Sequence, residues 1–409
     1  MEFTALQSKA LRCAVVLALI VSGCAAGRGE VDEATLVERR REYTARADHA
    51  HEQSTLRAIG RLKAQLDAFE AGQSTEAPTL HVLIISGGGD FGAFGAGFLR
   101  GWGKVQDQTW KRPQFDIVTG VSTGALIAPF AFLGDDASYD RIAELYRNPG
   151  RDWINRRGLL FFLPGNQSLV RIDGLTRDIK RAFDASVVQG IAAGAEAGRL
   201  LAIGTTNLDF GMQRMWDLGA ECRAVGATGS NDRMVEIVLA SSAVPGAFPP
   251  VEIDGLLYAD GAITTNILYE DSLRSERSLT NQWAAMYPGV PMPRTCYWVI
   301  INNQMEGPPQ ITQPTWVSVT GAALATSVRS STQTALRNFA GQLELINVLG
   351  IGRKELRVVS IPNGWRPPTR GRFEQKTMEA LVDLGHQMGA DPASWVTIVD
   401  GTSPARSRR

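Results

Sequence analysis

The stretch FDIVTGVSTGALIA, residues 115–128, decides the fold. It contains the motif G-x-S-x-G, centred on Ser122, with mainly apolar residues before and after the motif. A strand that runs through this motif into a helix predicts a nucleophile elbow, in which a sharp turn lifts the serine clear of the backbone. The following helix presents its positive end and its free N–H groups where negative charge develops in a reaction. An ordinary turn is the alternative, but it does not require a strand before it and a helix after it.

A second glycine-rich segment makes this interpretation more specific. Residues 81–85, a histidine followed by four aliphatic residues, predict a buried strand, and SGGGDFGAFGAG, residues 86–97, leads from it into a helix. Three consecutive glycines allow successive N–H groups to face one point, as a tetrahedral oxyanion requires. The spacing also fits the G-x-G-x-x-G of nucleotide-binding loops, but the acid expected about 20 residues later falls at Asp107, with no strand before it. We therefore favour an oxyanion loop over a nucleotide site.

A third segment lies far downstream. The small-residue block LASSAVPGAFPP, residues 239–250, is followed by a predicted turn at Asp254-Gly255 and by a short apolar strand that ends at Asp260. Aspartate before glycine usually marks a turn. The end of a strand is nevertheless a place from which a carboxylate reaches a cleft.

Together these three segments resemble the patatin-like phospholipase family, over roughly residues 80–395. The resemblance implies an α/β, three-layer α/β/α fold with a mostly parallel central sheet. It also implies a serine acyl-hydrolase that uses a Ser–Asp dyad without histidine and needs no metal or other cofactor. On it, Ser122 is the nucleophile and Asp260 the general base. The oxyanion hole would consist of the backbone amides of Gly87, Gly88, Gly89 and Asp90.

The chain departs from the family pattern at one position. The family's usual G-G-G-x-R/K-G has a basic residue where this chain has Phe91. The role of that cation, in fixing the loop or meeting an anionic headgroup, is therefore not carried over. The backbone donors of the loop do not depend on it.

Histidine supply bears on the choice between a dyad and a triad. The chain has four histidines, and only His386 is placed for the order Ser122, Asp260, His386 of an α/β-hydrolase triad. His386 lies near the end of a predicted helix, where a histidine commonly meets exposed carbonyls. We expect it to cap this helix, and we keep a triad esterase as the alternative. A non-catalytic, membrane-tethered binding lipoprotein is the other alternative, favoured only by Phe91.

The N-terminus resembles a bacterial lipoprotein signal. Basic residues precede a short apolar run that stops at VSGC, so residues 1–23 are expected to be a signal peptide. The resemblance implies lipidation of Cys24 and attachment to the membrane, with the outer membrane favoured because Ala25 follows. A signal peptide with an ordinary cleavage site is the alternative.

The rest of the chain divides into three parts. Residues 24–78 comprise the lipidated N-terminus, a charged helix with one apolar stripe over residues 30–71, and a linker. Residues 79–395 alternate strands with helices and form the acyl-hydrolase domain. We expect its strands near 81–85, 115–118, 199–204, 251–258, 296–302 and 356–361. Residues 396–409 form a C-terminal tail.

Composition and the remaining motifs limit the classes of partner and substrate that the sequence indicates. Lys plus Arg and Asp plus Glu are 42 each, so nothing indicates a nucleic-acid partner, and no Cys/His cluster has metal-binding spacing. Cys222 and Cys296 are the cysteines of the predicted domain, and the sequence leaves their pairing open. The apolar residues 159–163, flanked by arginines, suggest either a lipid-contacting lid or a buried segment. We therefore expect a phospholipid or other acyl-ester substrate.

Overall fold

The structure is a computed structural model that describes residues 28–401, except 30, 151, 157–167, 229, 271–275 and 370. The predicted signal peptide, Cys24, the apolar residues 159–163 and the last eight residues of the predicted tail lie outside the described residues.

A mixed sheet of nine strands forms the centre of the described part of the chain. Its order is β11-β10-β9-β1-β2-β5-β8-β7, with β6 paired to β5, and β3 and β4 form a separate two-stranded sheet. The five strands from β10 to β5 are parallel, whereas β11, β6, β8 and β7 run antiparallel to their neighbours. In chain order the strands are β1 (Thr79–Ile85), β2 (Ile117–Val121), β3 (Asn155–Arg156), β4 (Val170–Arg171), β5 (Leu200–Asn207), β6 (Met212–Asp217), β7 (Val251–Ile253), β8 (Leu256–Asp260), β9 (Arg294–Gln304), β10 (Lys354–Ile361) and β11 (Val396–Val399).

Helices cover both faces of this sheet. They are α1 (Glu33–Glu70), α2 (Gly92–Trp102), α3 (Thr123–Leu133), α4 (Asp136–Arg147), α5 (Asp173–Ala182), α6 (Ala185–Glu196), α7 (Leu218–Thr228), α8 (Asp232–Ser241), α9 (Leu279–Met286), α10 (Trp316–Val348) and α11 (Gln375–Gly389). Alternating residues of β1 enter two separate cores: Leu83 and Ile85 face α2, α3 and α11, whereas Val82 and Ile84 face α1, α9 and α10. This alternation produces the predicted three-layer α/β/α arrangement.

Helices α2 and α11 touch through their backbones. A Cβ added to Gly385 would lie 2.1 Å from the carbonyl oxygen of Phe94, and one added to Gly101 would lie 2.1 Å from that of His386. Because α2 continues directly from the glycine-rich segment, this close contact fixes the direction in which that segment leaves the sheet.

The predicted helix over residues 30–71 is α1, and it packs against the sheet through Ala58, Ile59 and Leu62. The segment near 251–258 is a hairpin, with its turn at Asp254-Gly255. No sequence pattern predicted β6, α10 or β11. Because β11 pairs with β10, the sheet continues past residue 395, the predicted end of the domain. The cysteines Cys222 and Cys296 are buried free thiols.

Candidate active site

Ser122 occupies a strained turn between β2 and α3. Its φ of 55° and ψ of −125° are unusual for a residue other than glycine, and such strain is typical of functional sites. The flanking glycines permit the turn: an added Cβ would lie 2.3 Å from a carbonyl oxygen at Gly120 and 2.2 Å from the oxygen of Ile85 at Gly124. A side chain at either position would push the strand and the helix apart.

The hydroxyl of Ser122 meets one carboxylate. Ser122 Oγ donates to Asp260 Oδ2 at 2.7 Å, and the two residues are 5% and 3% exposed. Asp260 Oδ1 accepts from the amide of Ala262 at 2.8 Å. Burial raises the pKa of Asp260 from 3.8 to about 6, although these two hydrogen bonds oppose the change. The carboxylate is therefore largely ionised at neutral pH and is a stronger base than an exposed aspartate.

The block 239–250 holds both partners in place. Ser241 Oγ accepts from the amide of Ser122 at 2.9 Å and donates to the carbonyl of Gly204 at 2.6 Å. The amide of Asp260 donates to the carbonyl of Ala243 at 2.9 Å. The small residues of this block stand out in the sequence, but their roles follow only from these contacts.

The glycine-rich segment presents backbone amides beside this pair. The amides of Gly88, Gly89 and Asp90 hydrogen-bond to no described residue, and Gly89 takes the left-handed φ of 63° that the turn requires. The amide of Gly87 differs, since it donates to Asn266 Oδ1 at 3.0 Å. The amide of Thr123, at the first position of α3, also donates to no described residue.

Two buried asparagines, Asn302 and Asn266, fix this segment, and neither was predicted from the sequence. Asn302 Oδ1 accepts from the amide of Gly95 at 2.9 Å, while its Nδ2 donates to the carbonyl of Ser86 at 2.9 Å. Asn266, besides holding Gly87, donates to Thr332 Oγ1 at 2.8 Å. Neither asparagine lies in a recognisable motif, so only their spatial position reveals them.

Comparison with known proteins identifies the family of the segment that contains Ser122 and Asp260. Residues 83–272 match the family model described as patatin-like phospholipase. This segment is a patatin-like phospholipase domain. Membership implies a lipid acyl-hydrolase, which acts on lipid acyl esters. No curated protein is significantly similar to the chain. Among solved structures, it is similar to the crystal structure of VipD from Legionella pneumophila at 13% identity, with a TM-score of 0.36, over 78% of this chain and 68% of that chain.

In the patatin-like domain, Phe91 occupies the position where the family usually has a basic residue. A cation from a distant part of the chain nevertheless lies beside it. Arg372 Nη1 donates to Asp90 Oδ1 at 3.1 Å, and its guanidinium lies 5.7 Å from the ring centre of Phe91. The amide of Phe373 donates to the other oxygen of the Asp90 carboxylate at 3.1 Å. An arginine more than 280 residues away in sequence thus reaches the glycine-rich segment, where no sequence pattern could have located it.

His386 lies in α11 and packs against the C-terminal end of α2, whereas a triad would need it near the N-terminal end. Its backbone packs against Gly101, whereas Gly92, at the start of the same helix, packs against Thr123 beside the nucleophile. Nine residues of helix, at about 1.5 Å each, separate these two contacts by roughly 14 Å. The alternative arrangement, a triad with His386, is therefore not formed in the patatin-like domain, because α11 holds His386 away from Ser122.

An open groove of about 850 Å³ lies along α10, and neither Ser122 nor Asp260 lines it. Thr264 and Thr265, which follow Asp260 closely, form one wall, and small residues of α10 such as Ala323 form the other. Its volume falls within the range of small-molecule sites.

Within the described ranges, no three His, Cys, Asp or Glu side chains gather as metal ligands would.

Proposed function

We propose that the patatin-like domain is a phospholipase- or lysophospholipase-type esterase that uses Ser122 and Asp260 as a catalytic dyad. The observation that carries this proposal is the 2.7 Å hydrogen bond between two buried side chains. A serine hydroxyl is a weak nucleophile unless a base accepts its proton as it attacks. Asp260 is the base within reach, and its raised pKa of about 6 suits that task near neutral pH.

The reaction proceeds in two halves. The Ser122 proton moves to Asp260 Oδ2 while Oγ forms a bond to the ester carbonyl carbon. The tetrahedral intermediate collapses, the C–O bond to the leaving alcohol breaks, and Asp260 returns the proton to that alcohol. A water molecule then gives a proton to Asp260 while its oxygen forms a bond to the acyl carbon. The bond from that carbon to Ser122 Oγ breaks, Asp260 returns the proton to Oγ, and the fatty acid is released.

The free amides of Gly88, Gly89 and Asp90 stabilise the oxyanion, and the amide of Thr123 joins them. The residue after a serine nucleophile commonly supplies one such donor. Loss of one oxyanion-hole donor typically costs about 3 kcal/mol of transition-state stabilisation. We assign Gly87 a different role from the one its sequence suggested: its amide is engaged by Asn266, so it anchors the loop.

Labelling with a fluorophosphonate probe and an acyl-ester substrate panel tests the dyad. Ser122→Ala should abolish labelling and turnover, and Asp260→Asn should lower turnover by about 10³-fold or more with the fold intact. His386→Ala is the matched control and should keep most of the activity. A folded His386→Ala variant as inactive as Ser122→Ala would refute the dyad in favour of a triad.

We also propose that the chain is attached to the bacterial outer membrane through acyl chains on Cys24. The supporting observation is the short apolar run that stops at VSGC. No helix in the described part of the chain is long and apolar enough to cross a membrane. Mass spectrometry of the mature N-terminus should find an acylated Cys24, and Cys24→Ser should release the protein from membrane fractions. An unmodified N-terminus at another residue would contradict the anchor.

A further inference from the structure

One end of α10 projects from the body of the structure. The helix begins at Trp316, but its first buried side chain is that of Thr332, and no described side chain of residues 308–331 is buried. The chain leaves the body at Gly307 and returns at Arg329, where the two ends meet: a Cβ added to Gly307 would lie 2.4 Å from the Arg329 guanidinium. We call residues 308–328 the protruding segment.

The protruding segment lies at the edge of the sheet that carries the nucleophile. Strands β1, β2 and β9 are parallel, so β9 ends at Gln304 on the edge where β2 leads into Ser122. On the return side, Thr332 Oγ1 accepts from Asn266, which also holds the amide of Gly87. Both ends of the segment are therefore joined to the surroundings of the catalytic dyad.

Helix α10 extends beyond this edge. Asn347, near its C-terminus, donates to the carbonyl of Lys354, the first residue of β10, and so lies at the opposite edge of the sheet. From there the helix runs back to Thr332 and continues through residues 316–331, which span roughly 24 Å at about 1.5 Å per residue. The protruding segment thus projects outward from the edge at which the dyad lies.

This segment carries no charge and exposes apolar side chains. Residues 307–328 contain no Asp, Glu, Lys, Arg or His, although 21% of the chain is charged. The side chains of Ile311, Trp316 and Val319 are 92%, 64% and 51% exposed. Trp316 and Val319 are three residues apart in the helix and lie on the same face. Exposed surface is normally rich in charged residues, so an uncharged apolar projection indicates an interaction site.

The composition fits a lipid surface better than a protein surface. Charged side chains are costly in the hydrocarbon of a bilayer, whereas interfaces between soluble proteins keep a polar rim. Tryptophan is enriched where hydrocarbon meets water. The prolines at 308, 309 and 314 have no N–H group that lipid would leave without an acceptor, and Thr315 Oγ1 accepts from the amide of Ser318 at the start of α10.

We propose that the protruding segment inserts into the surface of a phospholipid membrane and turns the edge with the dyad toward it. Its helical part, residues 316–328, spans roughly 20 Å, less than the 30 Å or so of a hydrocarbon core, so it enters one leaflet without crossing the bilayer. The purpose of this insertion rests on the proposed phospholipase activity, which needs access to lipid esters. The insertion itself can be measured without turnover.

A fluorophore that reports the polarity around it tests the insertion. It is attached to Ile311→Cys in the full chain, in which Cys13→Ser and Cys24→Ser leave only buried native thiols and no lipid anchor. Phosphatidylcholine vesicles should shift its emission to the blue and protect it from iodide in the water. Val348→Cys is the matched control, because Val348 is 74% exposed in the same helix but near the opposite edge of the sheet. A fluorophore there should not respond.

Charge placed on the segment tests its contribution to binding and turnover. In the chain with the two serine substitutions, Ile311→Asp combined with Val319→Asp should weaken vesicle binding at least tenfold and lower turnover of vesicle phosphatidylcholine to a similar extent. Turnover of a soluble short-chain ester should stay unchanged, because neither side chain touches the dyad. Val348→Asp should change none of these. Binding should persist in about 0.5 M salt, since apolar insertion is not screened.

Three results would overturn the proposal: an equal response of the fluorophores at positions 311 and 348, loss of vesicle binding in high salt, and normal vesicle binding by the double aspartate variant. A dimer that this variant dissociates, in a protein that binds no vesicles, would assign the segment to a contact between two copies. Insertion of the Ile311→Cys fluorophore by a wild-type dyad that hydrolyses no ester would refute the proposed function and support the insertion. If circular dichroism shows that the double variant does not fold, Ile311→Ser should weaken binding by a smaller factor.

Discussion

Replacing Asp260 by asparagine should inactivate the enzyme and stabilise it at alkaline pH. Burial raises the pKa of Asp260 from 3.8 to about 6, a difference equivalent to about 3 kcal/mol. Because the folded state holds the proton more tightly, wild-type stability falls as pH rises through 3.8 toward 6, and the full loss persists above that range. Asparagine carries no charge at any pH. It can still accept from the Ala262 amide and donate to Ser122 Oγ.

The expected gain for Asp260→Asn is therefore about 3 kcal/mol at pH 8 and less than about 1 kcal/mol at pH 4. At about 2 °C per kcal/mol for a large domain, calorimetry at pH 8 should show a Tm raised by about 6 °C. The wild-type kcat/KM should rise with pH through an apparent pKa of about 6, because the ionised carboxylate is the base.

Asp254 supplies the matched control, since it also precedes a glycine but is 67% exposed and pairs with Arg233. That pairing lowers the pKa of Asp254, so Asp254→Asn should give no stability gain at pH 8 and should leave turnover intact. The reasoning is refuted if Asp260→Asn changes stability equally at pH 4 and pH 8, or if the wild-type activity profile has its midpoint near pH 4.

Three further substitutions probe the support of the site. Ser241→Ala leaves the amide of Ser122 without its acceptor, so it should lower kcat and destabilise the fold by about 1–3 kcal/mol. Ser242→Ala is the control and should change neither kcat nor stability, because the Ser242 hydroxyl bonds to no described residue. Gly385→Ala should lower the free energy of unfolding by about 1–3 kcal/mol in urea titrations, because its Cβ would meet the carbonyl oxygen of Phe94. Gly341→Ala, in open space within α10, is the control and should raise that free energy by about 0.5–1 kcal/mol. Arg372→Gln should lower kcat on a soluble ester about tenfold, because it leaves the buried carboxylate of Asp90 in the glycine-rich loop without this ion pair. Arg372→Lys should recover part of that loss. An unchanged kcat in both variants would exclude a positioning role for Arg372.

The sequence by itself determined the features that depend on neighbouring residues. Small residues around Ser122 predicted the turn between strand and helix, and the glycine run predicted the loop with free amides. Both are local, because they follow from backbone sterics over a few positions. The strand-and-helix alternation likewise predicted the three-layer fold, since each pattern specifies which face an element buries.

Only the tertiary structure decided how distant residues meet. It brought Asp260 to 2.7 Å from Ser122 and engaged the Gly87 amide with Asn266. It also placed Arg372 beside Phe91 and held His386 away from the dyad. None of these contacts leaves a periodic or motif signal, because each joins residues that separate elements carry to the same point. The register of the sheet and the close packing of helices set those distances, and neither is written in any short stretch of sequence.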